Sequence, residues 1–372
     1  MQRRDFIGLC LVAPTMLSPA RSAFSQTQQS NLDVAYIAAA KSRLGEHYLQ
    51  CFNSQNKLIA NHQIPSRGHG FAVNKKGHIA AIARRPADFC VVLDHQGNKI
   101  TEFYAQHGRH FYGHGVFDVI GDYLFLTEND YQNASGVLGV YDVQNNYARV
   151  DEIKSHGIGP HMIQLDKTGK QLIVANGGIE THPYTGRKKL NLETMQSSLV
   201  TIDIESGDLV RRVLPKSKYH KNSIRHFVVA SDNTIYLGLQ NEGDDETALL
   251  LARLDSTGAL IEPLKIPQAL KNRLNNYVGD ICLDQSEQTL IASSPHGNSL
   301  VLLDTATGES SSYTMNDVCA VCATKQPYEF IVSAGTGVVS LVDLSEGVAA
   351  PTIHTLADVS ANLSLDNHLL SV

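Results

Sequence analysis

Tryptophan is absent from the 372 residues, cysteine occurs only six times, and charged residues make up 18%. Without tryptophan there is no WD-type repeat signature. Cys10 falls in the N-terminal segment, which leaves Cys51, Cys90, Cys282, Cys319 and Cys322, and an odd number of thiols is no disulfide framework. Buried small side chains on strands explain them better. Cys319-Ala-Val-Cys322 has redox or metal spacing, but residues i and i+3 of an extended strand point to opposite faces. A basic excess is missing too, with 31 Lys and Arg against 37 Asp and Glu, so the chain is not expected to bind nucleic acid. Beyond residue 30 no apolar run is long enough to span a bilayer, and a soluble mature protein is expected. Nor is there a G-x-S-x-G nucleophile motif.

The N-terminus, by contrast, is distinctive. Arg3-Arg4-Asp5-Phe6-Ile7, an apolar stretch to about Leu17 and small residues from Ala20 to Ser25 resemble a twin-arginine export signal over residues 1–25. An ordinary secretory signal, or a membrane anchor that is never cleaved, is the alternative; either main reading leads out of the cytoplasm, and a periplasmic location is expected. Removing Arg3, Arg4, Arg21 and Asp5 takes away three positive charges and one negative, moving the formal charge from −6 to −8.

The body of the chain repeats. VVLDHQGN, GVYDVQNN, VTIDIESG, ARLDSTGA, VLLDTATG and SLVDLSEG share an apolar run, an aspartate and a polar turn, with Asp94, Asp142, Asp203, Asp255, Asp304 and Asp343 spaced by 48, 61, 52, 49 and 39 residues. Upstream of these aspartates lie two further β-rich runs separated by hairpin-type turns. This is the period of a β-propeller blade. Six units are visible, and a seventh can be assembled from Val34–Ala40, Tyr48–Asn53 and Leu58–His62 with a C-terminal inner strand near Ala361–Leu365. Residues 31–372 therefore read as one all-β domain, a monomeric seven-bladed propeller closed by its N- and C-terminal strands.

Aligning the units on their aspartates places His69, His114, His161, His226, Asp280, Cys319 and Asn362 at the start of the seven innermost strands. Such strands line the axial channel, so a recurring position in sequence becomes a ring in space. Three or four imidazoles meeting there suit iron, copper or zinc. Glu128 or Asp280 could complete or orient the shell. Calcium would instead draw on Glu128, Asn129 and Asp130. The competing structural reading is that Gly68-His69 and Gly113-His114 turn back into their blades, as the Gly-His of WD propellers does, although Pro160-His161 and Arg225-His226 lack that glycine.

Ends of the second strands, including Asn176-Gly177-Gly178 and Ser294-Pro295-His296-Gly297-Asn298, are rich in ligand-type side chains on the same face. Arg67, Arg225 and Arg84-Arg85 add guanidinium forks suited to a carboxylate or phosphate. Two other functions use the same face: a lactonase- or esterase-like hydrolase with metal-bound or His-activated water, and a non-enzymatic docking platform whose surface is formed by insertions at Glu180–Ser197 and Leu214–Lys221.

FYGHGVF, LTEND, GIGPHMIQLD, ANGGIETHPYTGRKKLNLETMQSSLVTID and SIRHFVV resemble the exported bacterial proteins of the 1513 domain of unknown function. The resemblance spans nearly the whole mature chain. It implies a seven-bladed propeller encoded beside imelysin-like and di-haem peroxidase-like proteins, which would be its partners in periplasmic iron handling. It transfers no catalytic residue.

Overall fold

The computed structural model describes residues 33–244, 247–254, 258, 261–359 and 362–372. The twin-arginine segment and Asp255 lie outside the described residues. Among the described residues twenty-eight strands form seven four-stranded antiparallel sheets, the arrangement expected of a seven-bladed propeller. Blade one runs from Gly68 to Tyr104, and blades two to six follow with inner strands Arg109–Phe117, Pro160–Leu165, Asn222–Val229, Asp280–Leu283 and Val318–Ala323. The seventh is completed by both ends of the chain: Leu363–Ser371 is its inner strand, paired to Tyr36–Ser42, and His47–Phe52 and Leu58–Ile64 lie outside. Closure by pairing leaves no frayed terminal blade.

Within a blade, burial follows strand position. The second strand Ile79–Ala83 and the third, Phe89–Leu93, are buried at every residue, whereas the outer Lys99–Tyr104 is mostly exposed or half-buried. Uniformly apolar runs fit strands covered on both faces, and the mixed outer strand faces water. Seven hydrophobic cores result, each between neighbouring blades: Ile82, Val92 and Leu126 join blades one and two, and Ile37, Leu49 and Leu93 join blade one to the closing blade.

The repeated aspartates are turn-formers. Carboxylate oxygens accept from backbone N–H groups two to four residues on: Asp94 from Gln96 and Asn98, Asp142 from Gln144, Asp203 from Ser206, Asp304 from Ala306 and Thr307, and Asp343 from Ser345. An Asp at this place closes the turn after the third strand, which is why it marks each unit. The α-helix Gln268–Arg273 and the 3-10 turns Pro183–Thr185 and Ser217–Tyr219 are short, and both 3-10 turns lie in the insertions.

Candidate metal centre

Each propeller axis position is set by how the inner strand pairs with the second. In blade one Gly68 pairs with Ala83 but Phe71 with Ala81, so His69 and Gly70 bulge out of the ladder. Tyr112-Gly113-His114, His161, Arg225 beside His226, Cys319 and Asp366-Asn367-His368 are displaced in the same way. Six of the seven inner strands thus carry an irregularity at one depth. A bulge twists the strand and re-aims the side chains in it or next to it, here toward the axis; in blade four the unpaired residue is Arg225, and His226 follows it in register with Gly238.

Five imidazoles meet there. His69, His114, His161, His226 and His368 are each 2–8% exposed, and eight of their ten pairings have ring centres 4.5–5.4 Å apart. The rings therefore face the channel and one another rather than the blade interior, which disposes of the WD-type reading. His368 replaces Asn362 at the seventh position: the closing strand Leu363–Ser371 carries its bulge six residues later than the sequence alignment placed it, and Asn362 sits in the exposed turn before it.

The spacing suits a shared ion. With metal–nitrogen bonds of about 2.1 Å and ring centres about 1.1 Å beyond the nitrogen, imidazoles on one ion have centres about 4.5 Å apart at right angles and about 5.2 Å at tetrahedral angles. His69, His114 and His368, His114, His161 and His226, and His226, Asp280 and His368 form triplets whose ligand atoms lie within 4.8 Å of one another.

One nitrogen of every ring histidine is buried and has no partner: Nδ1 of His69, His161 and His226, and Nε2 of His114 and His368. A buried polar atom left unpaired costs about 1–3 kcal/mol. Five cost about 5–15 kcal/mol, as much as a whole domain's net stability. Such a concentration of orphaned donors and acceptors fits a site built for a ligand.

Burial pushes the imidazoles of His69, His114, His161 and His226 well below the ordinary histidine range, and neighbouring imidazoles push the same way. At neutral pH they are uncharged and keep the lone pair that a metal requires.

Asp280 supports the ring from outside. Its Oδ1 accepts from the Ile281 N–H at 2.9 Å, and its Oδ2 from the Val321 N–H at 3.2 Å and from His368 Nδ1 at 3.1 Å. A carboxylate only accepts, so the His368 proton resides on Nδ1 and Nε2 is free to bind. Asp280 Oδ1 is 4.0 Å from His226 Nδ1, beyond hydrogen-bond reach.

Glycines make room for the rings. A Cβ on Gly113, whose φ is +107°, would lie 2.2 Å from His69 Cδ2, and one on Gly70 would lie 2.5 Å from the Gly113 carbonyl oxygen and 2.9 Å from His114 Nδ1. The Gly-His-Gly stretches at 68–70 and 113–115 are thus the close approach of two inner strands.

Other residues singled out from sequence sit elsewhere. Glu128 is sealed in blade two, accepting from Tyr141 Oη at 2.6 Å and pairing with Arg149 at 3.1 Å. Asn129 Nδ2 contacts His110 Nε2 and the Thr181 carbonyl, and Asp130 pairs with Arg109. These three neighbours serve three partner sets rather than one calcium-like centre. Asn176 is held by Ser155 at 2.8 and 2.9 Å, and His296 packs on Tyr277 with ring centres 4.1 Å apart. The Cys319 thiol turns to the Asp317 carbonyl at 3.1 Å, and all five described cysteines are free. Arg67 forks onto Asp366 at 2.5 and 2.8 Å. On the far side of the ring an apolar channel of about 320 Å³, lined by Phe71, Val116, Met162, Ile281 and Leu369 among others, leads away from His114, Asp280 and His368.

The family model described as "Protein of unknown function (DUF1513)" matches residues 62–372. The chain belongs to this family. No curated protein matches it. Among solved structures, Kuenenia stuttgartiensis hydrazine synthase aligns with a TM-score of 0.58 at 14% identity, covering 83% of this chain and 89% of that one. A chain of a mitotic checkpoint complex aligns with the same TM-score at 10% identity, covering 80% and 89%. At these identities the likeness is one of fold alone. All five ring histidines lie within the family match.

Proposed function

We propose that the histidine ring binds a transition-metal ion, and that the protein does so in the periplasm as part of metal acquisition, with iron as the cargo in the setting that the resemblance implies. The observation that carries the reading is the set of five buried imidazoles with unpaired nitrogens, spaced as they would be around one ion. Neutral nitrogen donors favour iron, copper or zinc over calcium and magnesium, which take oxygen. His69, His114, His161, His226 and His368 hold the ion, and Asp280 keeps His368 in the binding tautomer.

The test is elemental analysis of protein purified from its native compartment, followed by calorimetric titration of metal-free protein with Fe(II) under anaerobic conditions and with Zn(II). One ion per chain is expected, with affinity lowered more than about a hundredfold in His114→Ala/His226→Ala, because loss of an outer-shell group alone costs about 10–100-fold. No bound metal and no histidine-dependent uptake would overturn the reading.

A further inference from the structure

On the side of the ring where the inner strands begin, the mouth carries five arginines. Arg67 and Arg84 share one carboxylate, Asp366, at 2.5 and 3.4 Å. Among the described residues no carboxylate lies within 4.0 Å of Arg85, Arg187 or Arg225. Arg85 lies over the Tyr112 ring with Cζ 5.8 Å from its centre. Arg187 projects from the insertion between the second and third strands of blade three and is exposed. Arg225, in the blade-four bulge beside His226, is only 5% exposed and its Nε has no partner. Its guanidinium packs at Gly177, where a Cβ would lie 3.4 Å from Nη1.

The five charges share one field. Arg84 feels Arg67 and Arg187, Arg85 feels Arg225 and Arg84, and Arg225 feels Arg187, while Tyr277 touches the field of all five. Glu242, which acts on Arg225, is already paired with Lys189. Five guanidiniums against Asp366, with Asp317 acting on Arg67 and Glu242 on Arg225, still leave a local excess of positive charge on a chain that is negative overall. Desolvated charges are normally paired, and the buried Arg225 guanidinium carries an Nε with no hydrogen-bond partner.

We propose that this mouth is a binding site for a small oxyanion carrying at least two negative charges, a polycarboxylate or a phosphate, gripped by Arg85, Arg187 and Arg225 with Arg84 and Arg67 behind. Planar guanidinium forks match carboxylate and phosphate oxygens bidentately. The Arg67–Arg84–Asp366 triad acts as the fixed wall, since its charges are partly compensated. The site stands on the arginines alone and does not require that the ring beneath hold a metal.

The test titrates the full mature chain, freed of metal with a neutral nitrogen chelator, with citrate and with inorganic phosphate, each against potassium chloride of matched ionic strength. Saturable binding of one or both is expected, weakened at least tenfold in Arg85→Gln/Arg187→Gln, two changes outside the buried core. Citrate binding alone assigns a polycarboxylate, and phosphate binding alone assigns a phosphate. No binding beyond the chloride control, or binding unchanged in the double variant, overturns the proposal. The same titration in His114→Ala/His226→Ala separates it from the metal reading, because the anion site should survive there.

Discussion

Five blades deliver an imidazole to the axis and two do not, yet all seven are built on the same four-strand plan. Blade six has the bulge but carries Cys319 in it, and the thiol turns away to the Asp317 carbonyl. Blade five has no bulge, and Asp280 sits in an unbroken ladder opposite Ser293. Its carboxylate stays in the wall and reaches sideways to His368 rather than inward. The comparison separates two requirements. A bulge at or just before the position turns a side chain to the axis, as His226 follows the bulged Arg225, and the residue type decides what arrives. Asp280 lacks the bulge, and its contact with His368 Nδ1 is the place from which a carboxylate tunes a histidine ligand.

The sharpest way to probe this difference is to alter the two exceptional blades. Asp280→Asn should weaken metal binding about 10–100-fold, the usual cost of an outer-shell partner. Cys319→Ser should leave metal affinity unchanged and shift stability by less than about 1 kcal/mol, as expected where no buried network is broken. Titration calorimetry on both proteins checks the pair, and equal losses would erase the distinction between the blades.

Acidification gives a graded effect. Histidines held below their ordinary value in the folded chain are neutral there, while the unfolded chain protonates near pH 6.5. The stability they contribute is present above about pH 6.5 and is lost as pH falls toward their folded values. Each imidazole kept neutral adds a slope of about 1.4 kcal/mol per pH unit in that window. His110, pushed down to about 4 by burial, belongs to the same group. Denaturant unfolding of metal-free protein between pH 7.5 and pH 5 should show falling stability, and His114→Ala/His226→Ala should show a shallower fall. An equal slope in both would place the acid sensitivity elsewhere.

Much of this architecture was legible in residue order. The aspartates recur because each closes the same turn, so the blade period follows from local backbone chemistry, and four of the five ring histidines follow from that period. His368 escaped because no repeat aspartate follows the last inner strand, and its bulge is measured from a strand that begins at Leu363. The stretch His368-Leu369-Leu370 has the same character as His226-Phe227-Val228, a histidine ahead of apolar residues, and was the available signal. Side-chain direction was not legible. Glu128, Asn129 and Asn176 are polar and lie at the correct strand ends, but whether a carboxylate faces the axis or Arg149 depends on packing between sheets, which strand composition does not encode.

The claim beneath all of this is that five inner strands place imidazoles around one ion. X-ray absorption of the metal-loaded protein tests it most directly. A first shell dominated by nitrogen near 2.1 Å, with outer scattering from several imidazole rings and one ion per chain, is the predicted result. An oxygen-only shell, or a spectrum unchanged in His114→Ala/His226→Ala, would contradict it.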